Sequence, residues 1–281
     1  MPSLPPIERD VVKRAEKAPA SGAFDEPEAE EPAANPLEDG YYDYLLRLGD
    51  DALILGQRLS EWCGHAPSVE VDLSLANMAL DLIGQATHIL DHANNGYGDE
   101  LAFERDVLDF RNCWLVEQPN GDFARTIVRQ LLYSTWQHML FQQLAESPDP
   151  FLRAIAAKAV KEVAYHRELA SEWAIRLGDG TEESAERMRD ALDWCWRFVP
   201  ELFEVDEKLE ALIALQTVPD PRSFEREYRA AIADVLAEAK LEQPDDQRPI
   251  LGGRRGHHSE HLGHLLAVMQ YLPRTYPDAT W

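Results

Sequence analysis

"YYDYLLRLGDDALILGQRLSEWC", residues 41–63, sets apolar side chains at Leu45, Leu48, Ala52, Leu55, Leu59 and Trp62. Steps of three and four place them on one helical face. Gly64 and Pro67 in the following "GHAP" cannot comfortably continue that helix, so it is expected to stop there. "VDLSLANMALDLIGQATHILDHA" (71–93) comes next. It is apolar on nearly all sides, which suits a central helix. "NGYGD" breaks it, and a shorter helix is expected near "ELAFERDVLDF" (100–110) before the "EQPNGD" turn.

Two further long helices are expected over "FARTIVRQLLYSTWQHMLFQQLAE" (123–146) and "FLRAIAAKAVKEVAYHRELASEWAIRL" (151–177), with "SPDP" and "GDG" as their stops. Thr181 then begins "TEESAERMRDALDWCWRFVPELF", where a capping box closed by a glutamate is expected. "SFEREYRAAIADVLAEAKL" and "SEHLGHLLAVMQYL" complete the set. No stretch alternates at period two for long enough to require a sheet. The fold class is all-α: four long helices of bundle length followed by additional C-terminal helices.

Before Tyr41 the composition differs. Residues 1–36 hold seven of the 18 prolines, and "SGAFDEPEAEEPAANP" is acidic and nearly free of large apolar groups. Such a segment cannot bury enough surface to offset its ordering entropy. Residues 1–40 are therefore read as a disordered tail, with a short helix possible in "IERDVVKRAEKA", and 41–281 as one helical domain.

The whole chain has 281 residues, 45% hydrophobic, with a net charge of −24. That charge disfavours nucleic acid or an anionic membrane surface as partner. No apolar run approaches roughly 18 residues, and "MPSLPPIERD" lacks a signal-peptide core, so a cytoplasmic protein is expected. Cys63, Cys113 and Cys195 are widely spaced and odd in number, which predicts reduced, packed thiols.

"KEVAYHRELA" (161–170) poses the functional question, because Glu162 and His166 stand four apart on a helix. A di-iron bundle takes one Glu from each of two helices and a Glu-x-x-His from each of the other two. Two adjacent cations need several hard carboxylates to neutralise them. The residue three before each of the nine histidines is never acidic. Glu162 and His166 lie roughly 40° apart around a helix, so a single irregular ligand pair stays open. Asn77, Asp81, Gln85 and His88 stand where an active bundle would present Glu and His, and Ser134, Gln137 and His138 replace a glutamate on the next helix. Asp81 and Gln85 are expected in a satisfied polar network, and His138 and His166 as hydrogen-bonded histidines. Glu61 is expected to pair with Arg58. Trp62, Trp136, Trp173, Trp194 and Trp196 are expected to pack.

"GGRRGHHSEHLGHL" carries Arg254, Arg255 and four histidines, of which His257, His261 and His264 fall at zinc-like spacing. No fourth ligand of the right type is nearby, so zinc is the minority reading. An exposed anchor for a protein partner or an anionic ligand is favoured, with Ser259 placed to cap the next helix.

The blocks "RLGDDALILGQRLSEWCGHAP", "DLSLANMALDLIGQA", "LVEQPNGDFA", "KEVAYH" and "GRRGHHSEHLG" resemble the C-subunit family of bacterial multicomponent phenylacetyl-CoA epoxidases. The likeness spans about residues 41–281. It implies a ferritin-like chain that pairs with a related catalytic A subunit, which carries the di-iron centre and converts the phenyl ring of phenylacetyl-CoA to a 1,2-epoxide. Electrons would come from NADPH through a separate reductase holding FAD and an iron–sulfur centre. It further implies a C subunit without catalytic residues, cofactor or metal of its own, in which Glu162 and His166 are remnants of a ligand helix. Arg254 and Arg255 would then contact the partner or the CoA phosphates. An autonomous di-iron oxygenase or oxidase with an aberrant ligand set is the alternative.

Overall fold

A computed structural model describes residues 36–245, 247–277 and 279. The acidic segment before Pro36, with its short helix, lies outside the described residues. The first helix, α1 (Pro36–Ser60), starts five residues ahead of Tyr41. It is followed by α2 (Val69–Ala93), α5 (Phe123–Leu144) and α6 (Pro150–Gly178) as the four long helices, with α3 (Gly98–Phe103) and α4 (Trp114–Glu117) in the crossover between the second and third. Among the described residues there is no strand, and the fold is the all-α, ferritin-like one expected.

Local chemistry accounts for the helix ends. Gly64 (φ +78°) turns the chain out of α1. Ser68 caps α2 by accepting from Val71 N, and Asp72 in the first turn accepts from Gly64 N at 2.7 Å, tying the turn to the new helix. Asp122 and Asp149 cap α5 and α6 in the same way, at 2.9 and 2.8 Å. Pro150 occupies the first turn of α6, where its missing N–H costs nothing.

After α6 come α7 (Glu182–Trp196), α8 (Glu207–Ala214), α9 (Glu225–Glu238), α10 (Glu260–Met269) and α11 (Tyr271–Thr275). Three sequence expectations are corrected here. The capping box at Thr181 is closed by Ser184, which stands at the third helical position. "ELAFERDVLDF" is helical only to Phe103, then extends and makes one 3-10 turn over Val107–Asp109. "RFVPELF" leaves the helix after Trp196, because Pro200 lacks the N–H that α7 would need to continue. The short α8 carried no expectation.

α1 packs along α2, α5 along α6, and α2 meets α6, giving a four-helix bundle. α4 and α8 close over α1, while α7 and α9 close over α5. The result is layered. From Asp43 to Leu59 every residue of α1 except Gln57 is buried, and α5 is almost as fully enclosed. α2 and α6 each keep one open face. Close approach of α1 and α2 needs Gly49 and Gly56, where a Cβ would press on Leu90 and Ile83 respectively. Trp62, Phe123 and Trp173 stack edge to face across the bundle end, while Trp136 and Trp196 are buried.

Candidate functional site

Two clusters of interior polar groups stand out. The first lies between α2 and α6, where the sequence placed Glu162 and His166. Leu75, Met78, Leu82 and Ile89 take the core side of α2, which leaves Asp81 and Gln85 to face α6. His166 is wholly buried, and its Nε2 sits 3.0 Å from Asp81 Oδ2. One turn away Gln85 donates Nε2–H to Glu162 Oε2 at 3.1 Å and accepts from Gln137 Nε2 at 3.2 Å. Asp81 and Gln85 therefore do sit in a polar network, but it is not fully satisfied as expected: His166 Nδ1 and Gln137 Oε1 are buried without a hydrogen-bond partner. His138 is half-buried against Arg167, 3.4 Å away. Burial and that guanidinium both push its imidazole pKa down. Glu61 pairs with Arg58 at 2.8 Å.

This donor set does not fit a pair of irons. Asp81 and Glu162 supply two carboxylates, and the one buried imidazole already has its Nε2 on Asp81. Gln85 directs an amide N–H at Glu162, the wrong polarity for a group that must share its oxygens with a cation. The buried polar side chains of α5 are Thr126, Arg129, Gln130, Ser134, Thr135 and Gln137, none of them a carboxylate or an imidazole. Among the described residues no group of three or more His, Cys, Asp or Glu side chains converges as a metal site. Asp81, Gln85, His88 and Glu162 border only a cleft of about 110 Å³ that opens between α2 and α6.

The second cluster joins α1 to the segments 104–118 and 250–259. It uses four buried carboxylates that the sequence reading passed over: Asp50, Asp51, Glu117 and Glu201. Asp50 accepts from both Nη atoms of Arg105, at 2.5 and 3.1 Å, and from Arg111 N at 2.8 Å. Asp51 accepts from Cys113 N (2.7 Å), Arg254 Nη2 (2.8 Å) and the Tyr133 hydroxyl (3.2 Å). Glu117 accepts from Asn112 Nδ2 and Ser259 N, at 2.9 and 2.7 Å, and lies 2.7 Å from His258 Nδ1. Glu201 accepts from Trp114 N, Gly252 N and Gly253 N, at 2.6, 2.8 and 2.7 Å. Each carboxylate fastens backbone that has no helix or sheet to satisfy it.

Burial raises the carboxyl pKa values of Asp50 and Glu201. The arginines and backbone N–H groups around them oppose that shift without cancelling it. Burial works most strongly against the charge of Arg254, yet Asp51, Cys113 and Glu201 together outweigh it and hold the guanidinium more firmly protonated than usual. Burial also pushes the Cys195 thiol up to about 12 and Cys113 well above its ordinary value. Both are packed thiols, whereas Cys63 is exposed.

The arginine pair expected at the surface is divided. Arg254 is 7% exposed and turned inward, donating also to the carbonyls of Arg47 and Arg111. Arg255 stays exposed and pairs with Glu204. Ser259 stands at the cap position of α10, but its hydroxyl makes no capping bond; its backbone N–H goes to Glu117 instead. Of the histidines, His258 is committed to Glu117, while His257 and His264 are exposed on the outside of this loop and helix. The signal for the cluster was present in "LGDDAL", where two aspartates interrupt an otherwise buried apolar helix.

Comparison with known proteins bears on both clusters. A family model described as "Phenylacetic acid catabolic protein" matches residues 24–281. The C subunit of the 1,2-phenylacetyl-CoA epoxidase of Escherichia coli (strain K12) is 49% identical over 242 residues, which cover 85% of this chain and 98% of that protein. With that match running through all four bundle helices and both polar clusters, the chain belongs to the phenylacetic acid catabolic protein family.

Proposed function

We propose that this chain is the non-catalytic structural subunit of a phenylacetyl-CoA 1,2-epoxidase complex in aerobic phenylacetate degradation. It pairs with the catalytic A subunit and stabilises it. On this reading the di-iron centre lies in that A subunit, NADPH, FAD and an iron–sulfur centre belong to the reductase, and the complex works in the cytoplasm. One observation carries the assignment. Between α2, α5 and α6, where a di-iron bundle would need converging carboxylates and imidazoles, an amide ladder runs from Gln137 to Gln85 to Glu162 and offers a cation an N–H donor. Similarity to a protein named as the C subunit of a 1,2-phenylacetyl-CoA epoxidase supports the place in such a complex.

A bundle without ligands can still brace a sister bundle of matching length, and obligate interfaces of that kind bury on the order of 2,000 Å² or more. Glu162 and His166 then act as structural remnants. Arg255 is the member of the arginine pair available to contact a partner or the CoA phosphates. The test is to purify the chain alone and with the catalytic subunit, and to assay iron and epoxidation. Iron and turnover are expected only when the catalytic subunit is present. Stoichiometric iron or product from the isolated chain would overturn the assignment in favour of an autonomous oxygenase.

A further inference from the structure

His258 turns both ring nitrogens toward oxygens that ordinarily only accept. Nδ1 lies 2.7 Å from Glu117 Oε2, and Nε2 lies 3.0 Å from the Phe110 carbonyl oxygen. The imidazole and the Glu117 side chain are both wholly buried. A carbonyl oxygen carries no hydrogen, so Nε2 must be the donor there. At 2.7 Å a ring nitrogen and a carboxylate oxygen also need a hydrogen between them. A neutral imidazole has a single N–H and cannot serve both.

The surrounding charges point the same way. Asp50 has Arg105 as its cation and Asp51 has Arg254. Besides His258, the partners of the Glu117 carboxylate are Asn112 Nδ2 and Ser259 N, both neutral donors. Two guanidinium groups lie close by, and each has an acid of its own. Arg58 of α1 donates to the Glu117 and His261 carbonyls and pairs with Glu61. Arg111 shares the Phe110 carbonyl with His258 and lies 3.5 Å from Asp43. A buried carboxylate without a counter-charge is costly, and the histidine is the group placed to supply one.

We propose that His258 is a buried imidazolium whose two N–H groups clasp the start of the C-terminal helices onto α4 and the segment before it. Ser259, next in the chain, donates its N–H to the other Glu117 oxygen, and α10 begins at Glu260. Loss of the ring proton sets the Nδ1 lone pair against a carboxylate oxygen, so the clasp opens. Acid and neutral conditions close it, and alkali releases it.

A ring that is doubly protonated in the fold makes the folded chain bind one proton more than the unfolded chain wherever a free imidazole, with a pKa of about 6.5, is neutral. The stability contributed by the clasp is therefore complete below that value and lost as pH rises through the titration of the folded pair. Within that window each pH unit should lower the folding constant about tenfold.

Long-range 15N NMR of the full chain, labelled at histidine, reads the ring directly, with His258→Gln assigning the signal. At about pH 8, where a free imidazole is neutral, both His258 nitrogens should show the shifts of a protonated ring. Glu117→Gln offers Nδ1 an amide N–H and should return the ring to one proton. A single protonated nitrogen in the wild type at that pH overturns the imidazolium, whether or not either variant folds. In urea unfolding, the wild type should lose stability relative to His258→Gln as pH rises from about 6.5 to about 8. Parallel profiles for the two chains overturn the clasp.

Discussion

Arg254 Nη2 lies 2.8 Å from Asp51 Oδ2, with both side chains buried and the two residues 203 positions apart in the chain. The pair joins the middle of the first bundle helix to a loop near the end of the chain. Its burial makes it a structural tie, and its loss has a calculable direction.

Arg254→Met should destabilise the protein by about 3–5 kcal/mol, because Asp51 is then left as an uncompensated buried charge. Pairing it with Asp51→Asn should recover part of that loss. Urea unfolding of the two single variants and the double variant checks this. Simple additivity of the two effects would mean that the residues are not coupled.

Gly253→Ala should cost more than about 2 kcal/mol. A Cβ there would sit inside contact distance of the Asn112 carbonyl and 3.2 Å from Trp114 N, on backbone that Glu201 and Asp51 hold in place. Thermal unfolding gives the readout. Gly84→Ala, on the open face of α2, should instead be neutral or slightly stabilising by comparison.

Acid should loosen the contact between α1 and α8. Burial pushes the Asp206 carboxyl up, but the Arg47 hydrogen bond, the cap to Leu209 N and two nearby cations outweigh it, and its pKa ends below the ordinary value. A depressed folded-state pKa contributes stability that is present above the unfolded value, about 3.9, and lost as pH falls through the folded one. Asp206→Asn should flatten the stability profile below about pH 4. A slope unchanged by that substitution would assign the acid sensitivity to other carboxylates.

Gln85→Glu should not create an iron site. It sets a third carboxylate beside Glu162 without supplying the bridging ligands that a metal pair requires. Repulsion should lower stability by about 1–3 kcal/mol at neutral pH and less in acid, where the new carboxyl protonates. Ferrous titration followed by absorbance should match the wild type.

The long helices were legible because their apolar periodicity is continuous and their ends carry Gly, Pro, Ser or Asp in stop or cap positions. The α2–α6 network was legible for a related reason: Asp81 and Gln85 interrupt a helix that is otherwise apolar. The carboxylate cluster was not. Glu117 and Glu201 sit in short one-turn segments, and the backbone N–H groups that they bind lie more than fifty residues away for Glu201 and more than a hundred for Glu117. Local patterns do not report such pairings. Arg254 and Arg255 show the same limit, since adjacent identical residues point in opposite directions once the loop is folded. Ser184, taken for a glutamate position in the Thr181 box, shows how a one-residue register decides which side chain reaches back.

The tie between Asp51 and Arg254 also sets an order of events during synthesis. At about 5–20 residues per second, synthesis of α1 is complete roughly 10–40 s before residue 254 is made. Asp50 finds Arg105 and the Arg111 amide, and Asp51 the Cys113 amide, well within that interval, but Asp51 stays without its cation until the closing loop arrives. Ribosome-arrested chains ending before Gly252 should accordingly exchange the amides around Asp51 faster than the released full chain does.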